Sequence, residues 1–179
     1  KKIFSCNENT VIKYIAIVCA CTGMRRGECL GLNDSDIDET NNIIKIQRTI
    51  STVTIIDNEG NRELKTIIQI PKTLGSIRTI PLPKSLIPIF KELKIIRNEN
   101  KLRAGSSYST EFINFLFLTE TGNLFDDSNI SRSWKRFLKR IDVDYKKFHA
   151  LRHTYATKQF EANIPLKTVS ELLGIQTYI

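Results

Sequence analysis

Apolar residues recur at helical spacing over residues 7–21, where Val11, Ile12, Ile15, Val18 and Cys19 form a stripe that Tyr14 and Ile17 widen. Thr10 is placed to cap this helix and Gly23 to end it. A short helix follows from Arg25, with Cys29, Leu30 and Leu32 as its apolar side, and the turn-rich residues 31–38 close it. The pattern then changes. Residues 43–56 and 64–70 are rich in Ile, Val and Thr, and Asp57-Asn58-Glu59-Gly60-Asn61 between them is a strong turn, so a β-hairpin is predicted, with a further strand at 78–81. Helical periodicity returns over 85–103 (Leu86, Ile89, Phe90, Leu93, Ile96), with Pro88 in the tolerated first turn. After a polar loop at 104–110, Phe115-Leu116-Phe117-Leu118 reads as a buried extended piece and 120–123 as a turn. Asp127 or Ser128 caps the next helix, to about residue 141, with Ile130, Trp134, Phe137 and Leu138 facing inward. A helix over 149–161 packs through Tyr155, Ala156 and Phe160; Asn163 breaks it, and Pro165 starts a last helix that runs through Val169, Leu172 and Leu173 to Gly174. The expected class is α+β: mostly helical, with a small antiparallel three-stranded sheet on one edge.

The chain has 179 residues, enough for one domain with a real core, and no repeat, linker or low-complexity tract divides it. A net charge of +8 and pI near 9.4 suit a polyanionic partner, nucleic acid being the commonest, although many basic proteins are merely basic. The 4 cysteines (Cys6, Cys19, Cys21, Cys29) form no C-x-x-C pair and the chain has only 2 histidines, so no metal site is expected. Nothing requires a disulfide, and a reducing cytoplasm fits. No apolar run is long enough to cross a membrane, and no signal peptide precedes the domain. The chain begins with Lys1 rather than Met and looks like a piece of a longer protein.

Both histidines lie in Phe148-His149-Ala150-Leu151-Arg152-His153-Thr154-Tyr155-Ala156-Thr157, at a helix start. His149 and Arg152, three apart, share a helix face. Such a pair could grip an anion through the guanidinium and move a proton through the imidazole; the alternative is a polar helix start in water. A second stretch, Cys21-Thr22-Gly23-Met24-Arg25-Arg26-Gly27-Glu28-Cys29-Leu30, joins two helices, and a third, Ile70-Pro71-Lys72-Thr73, sits in the β-rich region.

With these three stretches in this order, the chain resembles the tyrosine recombinase family of phage and transposon integrases. The family signature is an Arg in a T-G-[LM]-R-x-[GS]-E turn, a Lys in a β-hairpin before R-T-I-P-L, and a H-x-L-R-H-T-[FY]-A-T helix start, and the likeness covers nearly the whole chain. The resemblance implies the catalytic domain of a recombinase, with the family's separate N-terminal DNA-binding domain absent from these residues. Arg25 and Arg152 would hold the phosphate oxygens, Lys72 would protonate the leaving 5′ oxygen, His149 would take or relay a proton, and Tyr155 would be core rather than nucleophile. Arg26 falls on a variable position and is expected to be exposed. Glu28 could orient Arg25 from behind or form a surface pair, and His153 stands beside the site. The partner implied is double-stranded DNA carrying recombination sites, bound by a homotetramer on two duplexes, with no cofactor or metal. Arg132, Lys135, Arg136, Lys139 and Arg140 make one helix face basic, and Lys146 and Lys147 precede the histidine stretch; a solvated face and a DNA-facing one are equally open readings.

The end of the chain departs from the pattern. The family places its nucleophilic Tyr about ten residues after L-L-G, whereas Tyr178 follows Gly174 by four, so roughly six residues are lacking. Two short gaps closed up would make Tyr178 the nucleophile, a true deletion would predict an inactive protein, and Tyr178 could also be an unrelated residue of a fragmentary tail. Competing functions are a type IB topoisomerase, which shares the chemistry, and a DNA-binding relative without catalysis. A metal-dependent nuclease would need carboxylate clusters that the motifs lack.

Overall fold

The computed structural model describes residues 2–8, 10–70 and 77–175. Its centre is helix α2, Val11–Thr22, whose Ile12, Tyr14, Ile15, Ala16, Ile17, Val18 and Cys19 are all buried. These residues cover every side of the helix rather than a stripe, as expected of a helix enclosed by other elements. The short α1 (Lys2–Ser5), α3 (Arg26–Leu30), α5 (Asp127–Arg140) and α6 (Ala150–Glu161) pack around it. Thr10 is extended ahead of α2 but its hydroxyl makes no capping bond. Gly23 ends the helix in the left-handed conformation, φ 68°, donating its N–H to the Cys19 carbonyl.

The β-rich region divides where a continuous strand was expected. Gln47 and Arg48 interrupt residues 43–56, leaving β2 (Ile43–Ile46) and β3 (Thr49–Ile56). β2 lies between β1 (Ile37–Asp38) and β5 (Arg78–Pro81) in a three-stranded antiparallel sheet, with buried Ile44 opposite buried Ile80. Among the described residues β3 pairs only with β4 (Arg62–Gln69), as a separate ribbon whose tip is closed by the Asp57 carboxylate accepting from the Glu59 and Asn61 amides, both at 2.9 Å. The break lets the base of β3 lie on α3. Gly27 makes this approach possible: a Cβ there would come within 2.5 Å of Thr49 Oγ1 and closer still to the Ile50 carbonyl.

A 3-10 turn at Lys84–Leu86 leads into α4 (Ile87–Ala104), which buries Phe90 and Leu93. Phe115, Leu116, Phe117 and Leu118 are buried as expected, joined to the rest by an isolated bridge to Asn33 rather than by a strand. The cap of α5 is Asp126, whose carboxylate accepts from the Asn129 amide at 2.7 Å. This is one residue before the expected position, because only the residue outside the first turn has the extended backbone that turns its side chain back on the amides. α7 (Leu166–Leu173) follows Pro165 and ends at left-handed Gly174, φ 61°. In α6 the inward side is Arg152, Tyr155, Ala156 and Gln159. Phe160 does not pack as expected; it is 45% exposed. At about 100° per residue it stands some 80° round from Arg152, away from α2. Among the described residues, no helix is long and apolar enough to cross a membrane.

Candidate active site

The turn between α2 and α3 is shaped by what it must pass. A Cβ on Gly23 would overlap the Tyr155 ring and come within 2.7 Å of Leu173 Cδ2, so the glycine is required by its positive φ and by the helices across from it. Tyr155 is half-buried against this turn, and burial pushes its phenol up, which suits a packing role. The turn delivers Arg25 to the residue preceding α3.

Glu28, one turn on, holds Arg25 from behind. The carboxylate accepts from the Arg25 amide and from Arg25 Nη1, both at 2.8 Å. Glu28 is 3% exposed and Arg25 43% exposed, so the arginine has an anchored inner edge and an open outer one. The surface-pair reading of Glu28 therefore falls. A second guanidinium meets the same carboxylate: Arg78, the first residue of β5, donates from Nη1 to Oε1 at 3.0 Å and from Nη2 to Oε2 at 2.9 Å. Burial alone would raise the Glu28 carboxyl, but the hydrogen bonds and charge of Arg78, and then the hydrogen bonds of Arg25, bring it below the ordinary carboxylate value.

Arg152 is buried, 6% exposed, on the inner face of α6. Its Nη1 donates to the Gly23 carbonyl at 2.9 Å and its Nη2 to the Leu173 carbonyl at 2.6 Å. Burial, then the charge of Arg25, lowers its pKa to about 10, with Glu28 acting in the other direction; it stays ionised at neutral pH. His149 precedes the first residue of α6 and is exposed. Its ring meets His153 edge-on, with centroids 4.8 Å apart. Burial of part of the ring, then the charges of His153, Arg152 and Arg25, lower its pKa below the usual histidine range. The shift favours the neutral imidazole, which can accept a proton.

The three guanidiniums also share one anchor. Arg78 Nε donates to Leu172 O at 2.8 Å, Arg152 Nη2 to Leu173 O at 2.6 Å, and Arg25 Nη2 to Gly174 O at 3.3 Å. These are successive carbonyls at the C-terminal end of α7, where helix carbonyls lack intrahelical partners and the helix dipole is negative. Residues from three distant parts of the chain therefore converge on one helix end. Sequence reasoning placed Arg25, Glu28, His149, Arg152 and His153 in one site, and the structure brings them together; it did not single out Arg78. The available signal was the R of R-T-I-P-L, read as the start of a strand and as part of the pattern around Lys72, with no role given to the arginine itself.

The remaining expected residues are spread more widely. Lys72 and Tyr178, with the whole question of the shortened tail, lie outside the described residues. Arg26 is not simply exposed: it pairs with Asp127 at 2.6 Å and donates to Ser131 Oγ, because α5 runs past the α2–α3 turn. Lys147 lines a cavity of ≈ 370 Å³ with Trp134, His149 and Arg152. The Lys146 carbonyl accepts from Trp134 Nε1 at 2.8 Å. Arg132, Lys135, Arg136, Lys139 and Arg140 are all exposed on α5; Arg136 and Arg140 also border a groove shared with the start of α2 and the end of α4, where Arg140 pairs with Glu8 at 2.7 Å. The basic residues of α5 thus serve two sides of the molecule. Among the described residues no three His, Cys, Asp or Glu side chains cluster to hold a metal. The assembled groups can hold an oxyanion between two fixed guanidiniums and exchange a proton with a neutral imidazole.

A family model described as the phage integrase family matches residues 3–177. A tyrosine recombinase XerC-like protein of Caldanaerobacter subterraneus subsp. tengcongensis is 51% identical over 175 residues, covering 97% of this chain and 45% of that protein. The integrase of Staphylococcus phage L54a is 30% identical over 156 residues, covering 87% of this chain and 42% of that protein. The chain therefore spans about half the length of the curated relatives it matches. Among solved structures, the Tn1549 transposon integrase in complex with a circular intermediate DNA superposes with a TM-score of 0.73 at 20% identity, covering 98% of this chain and 54% of that one, and so shares the fold.

Proposed function

The chain belongs to the phage integrase family, the tyrosine recombinases, and from that premise we propose that it is the catalytic domain of a longer protein, acting with a separate N-terminal DNA-binding domain in site-specific DNA recombination. The observation that carries the proposal is the meeting of Arg25 and Arg152 on the adjacent carbonyls of Gly174 and Leu173, with His149 one turn before Arg152. Two planar cations fixed this way present donors to the non-bridging oxygens of one phosphodiester, where charge builds up in the transition state.

In the proposed reaction the Tyr178 oxygen attacks phosphorus, giving up its proton to His149 directly or through water. The bond to the 5′ oxygen breaks, that oxygen takes a proton from Lys72, and a 3′-phosphotyrosyl link remains. Rejoining is the reverse attack by a 5′ hydroxyl from the partner strand, so bond energy is kept and no ATP is consumed. Because guanidiniums and an ammonium neutralise the charge, the step as written involves no metal or cofactor. The substrate is double-stranded DNA at two recombination sites held by a homotetramer, in the cytoplasm. Lys147 beside His149, with Lys146, Arg132, Lys135 and Lys139, would bind the phosphate backbone of the arm entering the site, and Arg136 would lie off that path.

The test is a nicked suicide duplex of the parent protein's own recombination site, with chelator present. A covalent adduct that maps to Tyr178 is expected. DNA binding without an adduct would sink the catalytic reading, and an adduct on another tyrosine would sink the assignment of Tyr178.

A further inference from the structure

We propose that Arg78 is a positioning residue for this active site: it holds Glu28, and through Glu28 the reactive Arg25, while tying the same cluster to the end of α7. The inference rests on the recombinase reading for its consequence and on geometry alone for the clamp.

The Arg78 side chain is 7% exposed and its two Nη atoms meet the Glu28 carboxylate, whereas the equally buried Arg152 rests on neutral carbonyls alone; the charge of Arg78 is therefore matched inside the protein rather than held for a substrate. Three of its nitrogens have fixed partners: both Nη atoms fork onto the two oxygens of Glu28, and Nε reaches Leu172 O at 2.8 Å. Each Glu28 oxygen in turn takes one bond from Arg25, Oε1 from Nη1 and Oε2 from the backbone amide, both at 2.8 Å. One carboxylate thus serves two cations, and the buried one sets its plane. With the plane fixed on both oxygens, Arg25 has a single way to lie against it, and its other edge points outward. A point-like ammonium could supply charge here but not the fork.

A second structural consequence concerns α7. Arg78 is the permanent member of the three guanidiniums on the carbonyls of residues 172–174, since it has no outward edge to offer a phosphate. It stands at the start of β5 and belongs to the strand that follows residues 71–76, so it links that strand to the helix preceding the C-terminal residues. Two segments expected to carry Lys72 and Tyr178 are thereby referred to one buried side chain.

The charged and titratable groups acting on Glu28 are Arg25 from the α2–α3 turn, Arg78 from β5, Arg152 from α6 and the buried Cys29 thiol beside it on α3. Removing Arg78 leaves a buried carboxylate with one half-exposed partner, so the carboxyl takes up a proton more readily and releases Arg25 on the acid side. A residue that only filled space would not produce that pH signature.

The experiment compares Arg78→Met and Arg78→Lys with the parent in the full-length protein, following cleavage of the nicked suicide duplex as a ratio of variant to parent rate across pH, which cancels the titration of His149. We expect Arg78→Met to be slower by roughly ten- to a hundredfold near pH 6 and to recover to within about threefold near pH 8, as misplacement of a binding group without its loss would give, with Arg78→Lys between. Added to Glu28→Gln, Arg78→Met should cost little more, because the two act as one unit. A ratio that is flat with pH, or within about twofold of the parent throughout, overturns the proposal. A readout without DNA accompanies it: the Glu28 carboxyl, followed by ¹³C NMR in the full-length protein, should titrate higher in Arg78→Met than in the parent, and an unchanged titration overturns the clamp. A parent that forms no adduct while the Glu28 titration moves as expected would fail the recombinase reading and leave the clamp standing.

Discussion

Helices α2 and α6 have the same length, 12 residues each, and pack on one another, yet they are built in opposite ways. α2 buries Ile15, Ala16 and Val18 completely and has almost no exposed face. The only buried residue of α6 is a charged one, Arg152. One helix is held by apolar area, which has no direction; the other is held by hydrogen bonds of defined length, from Arg152 to Gly23 O and Leu173 O. The difference shows how the domain separates its tasks. α2 supplies the apolar centre, and α6 uses its inner face to fix one guanidinium on two carbonyls.

This contrast yields graded expectations. Ile15→Ala, in the wholly buried helix, should lower stability by about 2–5 kcal/mol in denaturant unfolding while leaving site geometry in the surviving folded protein intact. Arg152→Ala should lower cleavage by about 10²–10³-fold, or roughly 3–4 kcal/mol of transition-state stabilisation, read in a single-turnover assay; activity within twofold of the parent would end the assignment of α6 as the catalytic helix. Gly23→Ala, at the seam of the two helices, should cost about 1–3 kcal/mol through overlap with Tyr155 and Leu173, and should slow cleavage too, because the same shift moves Arg152's acceptor.

His149 gives a subtler expectation. Its pKa is lowered, by burial first and then by His153, Arg152 and Arg25, so it stays neutral to lower pH than an ordinary histidine. The acid limb of cleavage should therefore fall at lower pH than an ordinary histidine would give, and His153→Ala, by removing one repulsion, should move that limb upward. The linkage sign agrees: the unfolded chain binds the proton more readily than the folded one, so this group makes stability rise with pH until the ordinary histidine value is passed and adds nothing further above it. Unfolding midpoints across that window would check it. Smallest of all, Phe160→Ser on the open side of α6 should change stability by no more than about 0.5 kcal/mol.

The linear order of residues was enough to place what depends on local geometry. The period of the apolar residues located α2, α4, α5 and α7, Gly23 marked a left-handed helix end, and the two arginine motifs named Arg25, His149 and Arg152. It also left Glu28 between two roles that have identical spacing and differ only in burial. What depended on the folded chain was everything decided by distant partners. Arg78 acquires its place from Glu28, 50 residues away, and from Leu172, 94 residues away. Arg26 looked free until α5 brought Asp127 against it, 101 residues on. β3 lies apart from the three-stranded sheet with its base against α3 at Gly27, and Phe160 stands outside the core because it projects from α6 about 80° round from Arg152. Periodicity reports which face of an element is apolar, since that is a property of neighbouring residues on one backbone. The partner of a guanidinium is a property of where two backbones meet, and a buried ion pair is held only when tertiary packing removes the water that would otherwise separate its charges.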